Sequence, residues 1–318
     1  MTLSDDAIDR LRRCLDGIEI PGGRYDVRER LGSGAMGTVW RATDRELGRD
    51  VAVKVLNDAF DMDRARTQLE REAKTLAGLE HPSIPPVHDV GRLADGRVFY
   101  VMKCVEGTTL AQWVRANPAP AERLRAFLKA CDAVAFANER GVVHRDLKPS
   151  NLMLGRFGEV LVMDWGIATA PDLGERESSG RPRDDGGGGA GTPGYRAPEQ
   201  RSGGPISPRV DVYALGGVLA FLDRGVDPVE GAALEISDRR LRAIVTRARS
   251  EDPTRRYASV AELAADVRRL LDREPVHAYR EWPWERVARV VARNQFFVWL
   301  IVGYLVLRVC MFAFSSSR

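Results

Sequence analysis

The sequence is poor in cysteine, and what little it has is scattered. Cys14, Cys104, Cys131 and Cys310 form neither a CxxC pair nor a metal-ligand spacing. That excludes a disulfide scaffold and a cysteine-held metal, and leaves free thiols in a reducing compartment as the expectation. The chain also lacks an excess of either charge. Its 48 basic and 45 acidic residues give a formal net charge of +3, so no nucleic-acid partner is expected. The N-terminal stretch lacks an apolar core run and carries Asp5, Asp6 and Asp9, so no signal peptide is expected there. What is present is ordinary for a globular chain: 29% charged and 44% hydrophobic residues over a length of 318, enough for one two-lobed domain with tails.

One region departs from that balance. Residues 296–314 read FFVWLIVGYLVLRVCMFAF, 19 residues with one charge. As a helix such a run extends about 28 Å, close to the hydrocarbon thickness of a bilayer. Trp282, Trp284, Arg286, Arg289 and Arg293 precede it, and aromatics with arginines at that edge suit a cytoplasmic interface. Arg308 opposes the reading at a cost of about 2.5–3.5 kcal/mol at a helix centre, but it sits toward the far end, where it can reach outward. A single-pass span is expected, with a short tail at 315–318 and no sensor domain beyond it. The competing reading is a buried terminal helix.

The body of the chain opens with Ile8, Leu11, Leu15 and Ile18 at helical spacing, stopped by Pro21-Gly22-Gly23. A glycine-rich stretch follows, from Leu31 through Gly32, Ser33, Gly34, Ala35, Met36 and Gly37 to Val39. Glycine lets backbone amides approach phosphate oxygens that a side chain would hold away. By itself this spacing suits a glycine hairpin or a dinucleotide fold as well. A dinucleotide fingerprint should open a helix, whereas here strand continues and a second strand carries Val51-Ala52-Val53-Lys54-Val55. Lys54 alternates with apolar neighbours, and a lysine in a buried strand needs an anion to receive it. A helix is expected over 61–79, with Ala65, Leu69, Ala73 and Leu76 on one stripe. Glu72 lies at the edge of that stripe and is the expected counter-charge for Lys54. Residues 98–102 read as a short apolar strand, broken after it by Glu106-Gly107.

A helical stretch over 121–140, stopped by Gly141, leads into His144-Arg145-Asp146-Leu147-Lys148-Pro149-Ser150-Asn151. Eight residues thus hold a candidate proton acceptor, cations and a metal ligand. Leu161-Val162-Met163-Asp164-Trp165-Gly166 brings a second aspartate at the end of an apolar strand. Gly191-Thr192-Pro193-Gly194-Tyr195-Arg196-Ala197-Pro198-Glu199 comes later, and then Asp211-Val212-Tyr213-Ala214-Leu215-Gly216 and Asp252-Pro253-Thr254-Arg255-Arg256-Tyr257.

In this order the motifs resemble those of bacterial eukaryotic-like (Hanks-type) serine/threonine protein kinases. The resemblance covers about residues 25–271. It implies an α+β, bilobal fold with a β-rich N-lobe over a helical C-lobe and ATP in the cleft. The implied organisation is an extension at 1–23, a kinase domain at 24–272 (lobes 24–103 and 106–272), a basic and aromatic segment at 273–295, and the transmembrane helix. The glycine-rich stretch and Ala52 would cover the nucleotide. Met102 would be the gatekeeper, while the Lys103 carbonyl and Val105 amide would meet the adenine edge. Lys54, fixed by Glu72, would hold phosphates. Asp146 would accept the substrate hydroxyl proton, and Lys148 would steady the transferring group. Asn151 and Asp164 would bind Mg2+, with Mn2+ as an alternative. Thr192 would select serine and threonine substrates, Glu199 would pair with Arg256, and Asp211 would bond to the loop held by His144 and Arg145.

Two departures stand out. The run from 221 to 241 is shorter than the family's, which normally includes a helix that docks protein partners. The segment before Thr192 holds Gly186-Gly187-Gly188-Gly189 with Ser178 and Ser179 upstream. Autophosphorylation in trans at Ser178, Ser179 or Thr192 within a homodimer is one expectation, with Arg145 receiving the phosphate; an inert loop is the other. The activity implied is transfer of the ATP γ-phosphoryl group to serine or threonine of proteins, at the cytoplasmic face of the plasma membrane. A membrane-tethered pseudokinase scaffold is the alternative.

Overall fold

The computed structural model describes residues 18–34, 37–56, 76–165, 193–229, 235–284, 299–300, 303–304 and 306–308. A five-stranded antiparallel sheet comes first, in the order β1-β2-β3-β5-β4. Its strands are β1 (Tyr25–Gly34), β2 (Gly37–Asp44), β3 (Arg49–Leu56), β4 (Val87–Arg92) and β5 (Val98–Lys103). Alternation along β3, the middle strand, sorts the two faces. Val51, Val53 and Val55 join Tyr25, Trp40 and Val101 in a core on one face. Ala52 joins Tyr100 and Met102 in the larger core that continues into the second lobe. Lys54, two residues beyond Ala52, therefore shares the face turned to that lobe.

The second lobe is mainly helical. Its helices are α1 (Leu110–Arg115), α2 (Pro120–Glu139), α3 (Pro198–Ser202), α4 (Arg209–Arg224), α5 (Arg239–Ala248) and α6 (Val260–Leu271). Local chemistry starts them. Thr109 and Gln112 cap α1 reciprocally, Glu122 accepts from the Ala119 amide before α2, and Asp238 caps α5. α4 is buried from Val210 to Leu222, as a helix with apolar residues all round must be. Gly225 ends it in the left-handed conformation.

A small sheet, β6 (Gly107–Thr109), β7 (Leu152–Gly155) and β8 (Val160–Val162), sits between the helices and the cleft. The break expected after β5 at Glu106-Gly107 is there, over residues 104–106, and Gly107 then opens β6. β7 runs so close that a side chain on Gly107 would collide with the Leu154 carbonyl, so the glycine admits pairing rather than ending it.

The extension at 1–17, the helix expected over 61–79 up to residue 75, and residues 166–192 with their run of four glycines lie outside the described residues. So does most of 296–314. Among the described residues no helix is long and apolar enough to cross a membrane. Trp299, Leu300, Gly303, Tyr304 and Val306, Leu307 and Arg308 are helical and exposed.

Candidate active site

The hairpin β7–β8 assembles the site. It returns the chain so that the Met163 amide donates to the Asn151 carbonyl at 2.8 Å. Asn151, ending the 144–151 loop, and Asp164, following β8, are thereby brought next to one another although thirteen residues separate them.

The loop itself is held from behind by Asp211 in the first turn of α4. This fully buried carboxylate accepts from the backbone amides of His144 (3.0 Å) and Arg145 (2.9 Å), and from Asn138 Nδ2 (2.9 Å). Arg145 adopts φ 68°, a conformation L-residues rarely take, and it is tied on both sides of its peptide units. Its amide is held by Asp211, and its carbonyl accepts from Gln200 Nε2 at 2.9 Å. His144 is buried, and its Nε2 lies 2.9 Å from the Met163 carbonyl. Its ring packs on that of Trp165, with centroids 4.7 Å apart.

On the open side of this frame, Lys148 Nζ donates to Asp146 Oδ2 at 2.8 Å. Asn151 Nδ2 donates to the Asp146 carbonyl (2.8 Å) and to Asp146 Oδ2 (3.1 Å). With its nitrogen so engaged, Asn151 turns its amide oxygen to other use. Across the cleft Lys54 is 4% exposed. Its Nζ stands 3.5 Å from Asp164 Oδ1 and 5.7 Å from the centre of the Tyr100 ring. Asp164 sits at φ 56° with its side chain 52% exposed. Its neighbour Trp165 is buried and donates Nε1 to the Val162 carbonyl at 2.9 Å, closing the turn that carries the aspartate.

The oxygen donors fit a small hard cation. One carboxylate, Asp164, and one amide oxygen, Asn151, suit Mg2+, which takes few protein ligands and completes its shell with water and phosphate. Among the described residues no group of three histidine, cysteine or acidic side chains could hold a metal alone.

The rest of the residues expected to face a nucleotide line the first lobe. Leu31, Gly32 and Ser33 are exposed at the end of β1, with Gly32 opposite Val39, Ser33 opposite Thr38 and Gly34 opposite Gly37. Val39 is half-buried against the inter-lobe core, and Ala52 pairs with the buried Met102. The Lys103 amide donates to the Pro86 carbonyl at 3.2 Å, and Val105 follows half-buried at the junction of the lobes. Glu72, Ala35, Met36, Ser178, Ser179 and Thr192 lie outside the described residues.

Below the site, Arg256 grips Glu199 through two hydrogen bonds of 2.6 and 2.8 Å. Burial raises the Glu199 carboxyl, but the hydrogen bonds and charge of Arg256 together with a backbone amide bond leave the group below its ordinary value. Sequence reasoning missed Asn138, Gln200 and the contact of Tyr195 Oη with Asp227 Oδ1 at 2.6 Å. Their partners lie 32 to 73 residues away in the chain, and no local pattern announces them.

The protein kinase domain family matches residues 25–276. The chain belongs to that family. It is similar to the serine/threonine-protein kinase PrkC of Bacillus subtilis, 32% identical over an alignment of 280 positions that covers 81% of this chain and 42% of that protein. It is 34% identical to the serine/threonine-protein kinase PknB of Mycobacterium tuberculosis over 80% of this chain and 44% of that protein. This kinase chain thus spans less than half the length of these curated relatives. The crystal structure of the M. tuberculosis PknI kinase domain is similar in fold, with a TM-score of 0.61 and 28% identity, covering 78% of this chain and 96% of that one. The bilobal fold, a β-sheet N-lobe over a helical C-lobe, is the fold of the family.

Proposed function

We propose that this protein transfers the γ-phosphoryl group of ATP to serine and threonine hydroxyls of proteins. The observation that carries the reading is the convergence on one cleft of Lys54 with Asp164 and of Asp146 with Lys148 and Asn151. Phosphoryl transfer asks a protein chiefly for positioning and charge neutralisation. Lys54 would hold ATP phosphates by its ammonium, steadied by Glu72. Asp146 would orient the attacking hydroxyl and take its proton. Lys148, already within 2.8 Å of Asp146, would meet the negative charge of the transferring group. Asp164 and the Asn151 amide oxygen would hold Mg2+, which when bound neutralises phosphate charge. The adenine would lie against Ala52 and Met102, with the Lys103 carbonyl and Val105 amide on its edge.

The pseudokinase scaffold finds less support. Lys54, Asp146, Asn151 and Asp164 are all retained, and each carries the chemistry transfer needs. Incubation with magnesium and radiolabelled ATP, with a serine/threonine peptide library as acceptor, tests the choice. Label on peptide serine or threonine is the expected result; nucleotide binding without label would leave the scaffold.

Two finer readings belong to the same proposal. Residues 296–314 tether the chain to the cytoplasmic face of a membrane. Trp299, Leu300, Tyr304 and Leu307 are large side chains more than half exposed, a surface that lipid would cover, and the exposed rings of Trp282 and Trp284 stack 4.8 Å apart in the preceding segment. Sedimentation with membranes, lost on truncation at residue 295, is expected. Autophosphorylation in trans at Ser178, Ser179 or Thr192 would order the segment through Arg145; mass spectrometry after incubation with ATP and magnesium reads it directly, and an unmodified segment in a fully active enzyme rejects it.

A further inference from the structure

The connection between α4 and α5 is short, yet Asp227 and Pro228 within it pack against Tyr195 and Gly194. Tyr195 is only 5% exposed. Its ring lies over Gly217 of α4, where an added Cβ would stand 2.9 Å from Tyr195 Cδ1. Its hydroxyl donates to Asp227 Oδ1 at 2.6 Å. A phenol bonded to a carboxylate at that length is a strong, charge-assisted contact. Burial first, and then this bond, keep the Tyr195 hydroxyl protonated far above its ordinary range.

The residue before it is held as closely. A side chain at Gly194 would collide with the carbonyl of Pro228, which is buried. The Gly194 carbonyl accepts from Arg249 Nη1 at 2.6 Å, and the Arg249 guanidinium lies 4.6 Å over the Tyr213 ring. So Gly194 and Tyr195 are clamped between α4, α5 and residues 227–228. The clamp starts from a fixed point. Gly225 ends α4 with its amide on the Phe221 carbonyl at 2.7 Å, and Asp227 follows two residues later. Asp227 is thus a short lever on the most deeply buried helix of the lobe, and its end holds the segment that follows Thr192, the residue expected to select serine and threonine substrates.

We propose that Asp227 is a positioning residue for the protein substrate. Through Tyr195 it holds the 193–195 turn where the acceptor peptide runs, and so the short connection takes over bracing that a docking helix would otherwise provide. This rests on the reading of the chain as a protein kinase. The residue touches neither ATP nor the transferred group, so its effect belongs to the peptide.

Steady-state kinetics on the full chain tests it, using the best acceptor found for the wild type in a randomised serine/threonine peptide library. Asp227→Ala should raise KM for the peptide about five- to tenfold, the effect of losing one charged hydrogen bond, with KM for ATP held within about twofold. Asp227→Glu, which keeps the acceptor, should recover part of the loss. Tyr195→Phe should reproduce the defect, and the double variant should be no worse than either single one, because both remove the same bond. A peptide KM unmoved in Asp227→Ala, with or without a fall in melting temperature, overturns the proposal while leaving the kinase reading intact. So does a double variant whose defects multiply. A wild type that labels no peptide overturns both.

Discussion

The two sides of the cleft are held in opposite ways. The 144–151 loop is fastened from behind: Asp211 takes two of its amides, Gln200 one of its carbonyls, and His144 reaches the Met163 carbonyl. Asp164 has a lighter mooring. It stands half-exposed, with Lys54 at 3.5 Å and the turn closed beneath it by Trp165. The contrast matches the division of labour in phosphoryl transfer. The group that orients the hydroxyl must be fixed before substrate arrives, whereas the groups that meet metal and phosphate gain their full set of partners from the ligand.

Changes at the side chains that face the cleft and at the residues that hold the loop from behind should therefore fail differently. The largest effect is expected at the cleft-facing side chains. Asp164→Ala, and likewise Asp146→Asn, should cut peptide phosphorylation by about 10²–10⁴-fold, with the folded state preserved in a thermal melt. The residues behind the loop should fail by unfolding. Asp211→Ala leaves the His144 and Arg145 amides and Asn138 without their acceptor and should cost about 3–5 kcal/mol in urea denaturation. If Asp211→Ala instead melted like the wild type, the loop would not be held as described.

Arg256→Ala comes next, at about 3 kcal/mol, because it strands Glu199. Here pH adds a sign. Glu199 sits below its ordinary 4.5 in the folded chain, so its pairing stabilises above that value and is lost as pH falls through the lower folded one. Acid denaturation of the wild type should include this loss; Arg256→Ala should lack it. Trp165→Phe should show the smallest change, about 1 kcal/mol, from the single bond to the Val162 carbonyl. Its test is whether KM for magnesium shifts along with stability, since Asp164 rides on that turn.

Legibility in the sequence followed the same line between near and far. Alternation along 51–55 was enough to mark Lys54 as a charge within a buried strand, because strand geometry has a fixed period. The stop at Gly141 follows a helix for a conformational reason carried by one residue. The loop and the Asp164 turn were readable as motifs, but not what binds them together. The Asn151–Met163 backbone bond depends on the register of β7 with β8, and the Tyr195–Asp227 bond on how α4 meets the chain 32 residues earlier. The break at Glu106-Gly107 was readable, but the pairing of Gly107 with β7 was not, because no local pattern encodes that approach. The shortened connection after α4 was visible as a missing length; that Asp227 and Pro228 fill the gap against Gly194 and Tyr195 required coordinates.

The most direct test of the central claim is a magnesium titration of ATP binding, by calorimetry, in the wild type and in Asp164→Ala. The account predicts that magnesium tightens ATP binding to the wild type and that most of this gain disappears in the variant. Equal magnesium dependence in both proteins would contradict it, because Asp164 would then not be where the metal-bound triphosphate is held.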